Sequence, residues 1–172
     1  ISTPAWPDRP RWTAGEIVLL AAMLAAATLL RTIALDQVPP GMQHDEVFDA
    51  RFATDILNGA RPVFIDENTG VPPLFMYLVA GAFALLGRTV WALRLTSAGL
   101  SLLGLLMSYV LLRELLGRRV ALCTLAGLTI SFWHLFDSRV GIEPIIVPLT
   151  TALSFYLFWQ ALRRGSLRWY AL

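Results

Sequence analysis

Three groups of residues carry side chains able to do chemistry. The first is Gly41-Met42-Gln43-His44-Asp45-Glu46. A carboxylate held rigidly at a helix start can accept a proton from an attacking nucleophile, which makes Asp45 a candidate general base with Glu46 beside it and His44 near the substrate. The same position suits a helix N-cap, where Asp complements the dipole. The second group is Ser131-Phe132-Trp133-His134 with Asp137-Ser138-Arg139-Val140-Gly141-Ile142-Glu143. Arg139 suits a phosphate, with His134 and Glu143 as further substrate contacts. The alternative is an interfacial belt, with Trp133 at the headgroups and Arg139 and Asp137 as a surface pair. The third is Arg94, a second phosphate ligand, a partner for Asp45, or an interfacial side chain with its charge in water.

Other chemistries have little support. The two histidines lack tight ligand spacing, which gives no zinc signature, and a divalent cation on Asp45 or Glu46 stays open. The lone Cys123 lies in an apolar block and reads as a small buried residue. There is no phosphate-binding Gly-rich loop and no Gly-x-Ser-x-Gly elbow. An activated lipid therefore fits the substrate better than a nucleotide.

The elements that must position these groups are apolar. The hydrophobic fraction is 56%, mean hydropathy is +0.62, and apolar blocks alternate with short charged ones, a pattern of bilayer spans and loops. All 14 basic residues are Arg, without a clustered basic face, which excludes nucleic acid as a partner. The block 15–35 is about 30 Å long as a helix, enough to span. Its Arg31, near one end, is expected to snorkel. Further spans are expected at 90–112, 120–136 and 142–162, the last kinked by Pro144 and Pro148. Trp91, Trp133, Trp159 and Trp169 read as belt residues.

Residues 1–14 read as a Pro- and Trp-rich membrane-proximal tail. Seven of the 12 acids fall within 36–72. There, Phe48, Phe52 and Ile56 recur at helical spacing and predict an amphipathic helix over 45–58, with Asp45, Asp49 and Arg51 on its other faces. Residues 73–86 are apolar but too short to span, and read as a helix along the surface. With that count, the Arg-rich loops 113–119 and 163–168 fall in the cytoplasm, as the positive-inside tendency favours. The loop 36–89 then lies outside and gathers Asp45, Glu46, Arg94, His134, Asp137, Arg139 and Glu143 at one interface. The start at Ile1 and the apolar run opening near Leu172 suggest part of a longer protein.

The ordered series is longer than any single motif. It runs Pro39-Pro40-Gly41, Asp45-Glu46, Asn58-Gly59, Pro72-Pro73-Leu74, Gly87, Arg94-Leu95, Leu116-Gly117, Trp133-His134 and Ser138-Arg139. It resembles the N-terminal part of the GT-C membrane glycosyltransferases, in particular the bacterial branch related to protein O-mannosyltransferases and the lipid A aminoarabinose transferase. The resemblance implies an all-α polytopic fold with amphipathic juxtamembrane helices in the first outer loop. It also implies a polyprenyl-phosphate sugar donor and transfer on the outer face of the inner (plasma) membrane. The family's catalytic carboxylate falls on Asp45, and its phosphate-side arginines on Arg94 and Arg139. Gly70-Val71 stands where the aminoarabinose branch has an acid-lysine pair, and Glu143 is the nearest acid after Ser138-Arg139. Two rival readings are a non-catalytic GT-C-like subunit packed among partner subunits of a membrane complex, and a transporter. A transporter places its ionisable groups near mid-bilayer.

Overall fold

A computed structural model describes residues 11–67 and 70–164. Most of the N-terminal tail, and Arg168 and Trp169 near the C-terminus, lie outside the described residues. The chain folds as helices α1 (Ala14–Thr32), α2 (His44–Leu57), α3 (Leu74–Leu86), α4 (Val90–Leu116), α5 (Arg118–Ile130) and α6 (Phe132–Arg139). A 3-10 turn (Glu143–Ile145) then leads into α7 (Ile146–Arg164). Among the described residues the only β pairing is an isolated bridge between Ile65 and Val71, in the link from α2 to α3. The protein is an all-α, multi-pass membrane protein.

Local sequence explains most helix ends. The Thr13 hydroxyl accepts from the Glu16 N–H to start α1, and the Thr89 hydroxyl accepts from the Ala92 N–H to start α4. Gly87 and Gly117 end α3 and α4 at φ 86° and 87°, a left-handed conformation that costs glycine nothing. The helices α1, α4 and α7 are long and apolar enough to cross a membrane. At 13 residues, α3 is roughly 20 Å long, well short of a hydrocarbon core of about 30 Å.

The block 120–136 is not one straight helix. It breaks at Ser131 into α5 and α6, whose axes differ by 57°. Arg31 holds this break together. Rather than snorkelling, its side chain is fully buried. It donates to Ser101 Oγ, to the carbonyls of Ala27, Thr129 and Leu128, and to His134 Nδ1. Two of these are carbonyls at the last turn of α5, which a broken helix would otherwise leave bare. The last span also differs from expectation. Pro144 lies in the 3-10 turn and Pro148 in the opening turn of α7, positions that need few intrahelical N–H bonds, so neither has a long helix to kink.

The central post is α4, packed against α1, α3, α5, α6 and α7. One core joins Ala53 and Ile56 of α2, Phe75, Met76, Val79 and Phe83 of α3, and Leu93 of α4. A second joins Leu20 and Ala27 of α1, Leu105 and Tyr109 of α4, and Leu125 of α5. The hydrogen bonds sort the bundle into two ends. Glu16, Tyr109 and Arg113 meet at one. At the other, α2 meets the start of α4 and the segment between α6 and α7.

That segment packs tightly. Val140 and Ile142 have extended backbones, and a Cβ on Gly141 would lie 2.2 Å from Leu93 Cγ, itself fully buried. Gly141→Ala is therefore expected to destabilise the protein by about 1–3 kcal/mol. Adding Leu93→Ala should return part of that loss. Unfolding in detergent measures both, and a Gly141→Ala protein as stable as the parent would refute this packing.

Candidate functional site

The site is built on the first two turns of α2. The Gln43 N–H donates to Glu46 Oε2 at 2.9 Å, which closes the helix start. Glu46 points inward and is 0% exposed. It receives Arg94 Nε at 2.8 Å, Arg94 Nη2 at 3.1 Å and the Gly141 N–H at 3.0 Å. Burial alone would raise its pKa; the hydrogen bonds from Arg94, Gln43 and Gly141 override that and hold Glu46 below the usual carboxylate value.

Arg94 is equally enclosed. Its remaining donors go to the carbonyls of Leu35 (3.0 Å), Pro39 (2.9 Å) and Gly41. A guanidinium has five N–H groups, and here each has a protein acceptor. Arg94 thus ties the loop after α1 to α2 and α4 from inside the fold, with no donor left for a phosphate. Breaking such a buried pair from one side strands a charge. Arg94→Met should cost about 3–5 kcal/mol of stability. Glu46→Leu combined with Arg94→Met should cost less than the two single changes together, as measured by unfolding in detergent.

Adjacent helical residues project about 100° apart. With Glu46 pinned inward, Asp45 turns outward: its side chain is 63% exposed, with His44 Nδ1 at 3.4 Å and His44 itself on the surface. Asp45 stands at a cavity of about 180 Å³ whose other walls are Phe48, Asp49, Val71, Ile142, Glu143 and Pro144. Across Phe48 a wider open groove of about 410 Å³ is lined by His44, Val47, Arg51 and Glu67. Arg51 there pairs with Glu67 and lies over the Phe52 ring at 4.6 Å.

Of the other sequence candidates at this end of the bundle, Glu143 shares the Asp45 cavity, while Arg139 and His134 turn to the end of α1 and to Arg31. Glu143 opens the 3-10 turn, half-buried at the cavity. Arg139 donates to the carbonyls of Leu30, Ile33 and Val38, where it caps the end of α1. His134 accepts from Arg31 through Nδ1, because arginine has only donors, and this leaves Nε2 to carry the ring proton in the neutral form. Asp49, which the apolar periodicity leaves off the core face, is 3% exposed at the cavity wall. Its spacing from Asp45, one helical turn, was the available signal. Among the described residues no group of three or more His, Cys, Asp or Glu side chains is placed to hold a metal ion.

A family model described as dolichyl-phosphate-mannose-protein mannosyltransferase matches residues 70–172. The chain belongs to this family. No curated protein and no solved structure gives a match. Membership makes the chain a membrane glycosyltransferase of the GT-C type, similar to mannosyltransferases. The match takes in α3 through α7, with Arg94, His134, Arg139 and Glu143, and begins after the turn that carries His44, Asp45 and Glu46.

Proposed function

We propose that the chain transfers a sugar from a polyprenyl-phosphate donor to an acceptor at the outer face of the plasma membrane, with inversion at the anomeric carbon. The observation that carries this reading is the state of Asp45. It is an exposed carboxylate at a cavity mouth, on a helix start that the Glu46–Arg94 pair holds rigid. Asp45 accepts the acceptor's proton as the acceptor atom bonds to the anomeric carbon, and the bond from that carbon to the phosphate oxygen breaks with its electron pair. Phosphate leaves as an anion, so the step needs no general acid. Glu46 and Arg94 act from behind, by fixing where Asp45 stands. The His134 Nε2–H and the half-buried Arg139 are the groups left to meet the phosphate.

The membrane arrangement follows the same reading. Arg113, Arg118 and Arg163 lie at the end of the bundle away from α2, which the positive-inside tendency assigns to the cytoplasm. On α3, Leu74, Leu78 and Leu85 form an exposed apolar stripe opposite its buried face. Such a helix suits the outer bilayer surface, where lipid covers the stripe. A lipid-linked donor would then meet Asp45 from the membrane, and the acceptor would arrive from the aqueous side.

In proteoliposomes supplied with polyprenyl-phosphate mannose, Asp45→Asn is expected to lower sugar transfer by about 10²–10⁴-fold. The variant should insert and unfold as the parent does, because Asp45 holds no buried partner. Near-parental turnover by a folded Asp45→Asn protein would overturn the assignment of the base.

A further inference from the structure

The helix α2 buries two carboxyl groups, three residues apart, in opposite electrostatic settings. Glu46 has a guanidinium and two backbone N–H groups. Among the described residues Asp49 receives one hydrogen bond, at Oδ2 from the Glu143 N–H at 3.0 Å. Among the described residues no cation lines its cavity. The titratable groups there are Asp45, one turn back on α2, and Glu143; Val71, Ile142 and Pro144 complete the walls with Phe48, and α3 brings no side chain to them. A buried carboxylate without a counter-ion costs several kcal/mol, and a group so placed keeps its proton instead. Burial, and secondarily the charges of Glu143 and Asp45, raise Asp49 to about 7 against the opposing pull of the Glu143 N–H.

The geometry gives that proton a mechanical meaning. Along residues 140–143, where the extended Val140 and Ile142 lead into the 3-10 turn, the N–H groups of Gly141 and Glu143 end on Glu46 and Asp49 respectively. The first bond belongs to a permanent ion pair. The second rests on a carboxyl group whose pKa burial raises. When Asp49 is neutral, its carbonyl oxygen accepts from Glu143 without placing a buried charge beside two other acids. When it ionises, three carboxylates crowd one small cavity, and the favourable response is to let water in and part the walls.

We propose that Asp49 is a positioning residue for the Asp45 site: its neutral carboxyl latches α2 to the Gly141–Glu143 segment, and loss of its proton loosens that joint and shifts Asp45 relative to Glu143. The role in turnover rests on Asp45 being the base; the latch itself does not. The sign is fixed by the raised pKa. In the folded chain the latch is intact well below about 7 and is lost as pH rises through that value; the stability it adds is full below the unfolded value of 3.8 and is lost as pH rises through the folded one.

Amide exchange in the full-length protein in nanodiscs tests the latch without any substrate. After correction for intrinsic base catalysis, exchange at Gly141–Ile145 should rise about tenfold between pH 6 and pH 8 in the parent. In Asp49→Asn, which accepts from Glu143 and cannot ionise, it should stay slow at both. Transfer by the parent should fall above neutral pH, and Asp49→Asn should be active at pH 6 and keep that activity at pH 8, whereas Asp49→Ala is weakened throughout. An Asp49→Asn protein with the parent's exchange response and the parent's alkaline fall would overturn the proposal, as would a folded but inactive Asp49→Asn. Full turnover by Asp45→Asn with the exchange response intact would instead remove the base and leave the latch standing.

Discussion

The Glu46–Arg94 pair ties together the four segments that meet at the functional end of the bundle. Placing both ions in the interior costs several kcal/mol each, and the cost is offset only because every donor and most lone pairs are used. Arg94 reaches two carboxylate oxygens and three carbonyls, and Glu46 adds the N–H groups of Gln43 and Gly141. One side-chain pair therefore joins the loop after α1, the start of α2, the start of α4 and the segment before α7. Lysine, with three donors and no planar fork, would leave two of those acceptors bare.

The same device recurs along the bundle. Arg31 saturates its guanidinium on α1, α4, α5 and α6 where the α5–α6 rod is broken. At the far end, Arg113 binds Glu16, lies 4.0 Å from the Trp12 ring centroid and shares Glu16 with the Tyr109 hydroxyl. On α4, the run from Arg94 to Arg113 is roughly 28 Å long, close to the thickness of a hydrocarbon core. Apolar packing gives little net drive between helices in lipid, and saturated polar clusters of this kind supply the register that packing alone does not. A chain whose 14 basic residues are all arginine is suited to that task.

How far the sequence could be read follows from the range of each interaction. Helix identity was legible, because it rests on local apolar runs and their helical spacing. The family was legible too, because an ordered series of short motifs survives without a structure. The fates of the arginines were not. Arg94 and Arg31 look like interfacial side chains in their own neighbourhoods. Apart from the Ala27 carbonyl one turn back from Arg31, their acceptors come from residues 35–46 for the one and 101–134 for the other, and no local pattern encodes those meetings. The break at Ser131 has neither proline nor glycine to announce it, and the carbonyls it frees are answered by Arg31 from a different helix. Pro144 and Pro148 were visible, but their effect depended on where α7 begins.

Asp45, Glu46 and Asp49 show why residue type alone could not assign the site. All three are acids within two turns of one helix, and their partners alone separate them. Glu46 has a cation, so it is ionised, buried and immobile. Asp45 has water and a neighbouring histidine, so it is accessible. Among the described residues Asp49 has one backbone N–H donor and two acidic neighbours, and in the proposed latch its charge follows the solution. In the proposed reaction these states are interdependent. A base must be exposed to reach its substrate, an exposed residue is only as well placed as the helix that carries it, and that helix is held by one permanent bond network and one that titrates. Strengthening the second joint with a cation near Asp49 would remove its response to pH and would also draw the cavity's charge away from Asp45. A buried acid with no cation at that wall leaves the proposed joint between α2 and the Gly141–Glu143 segment reversible.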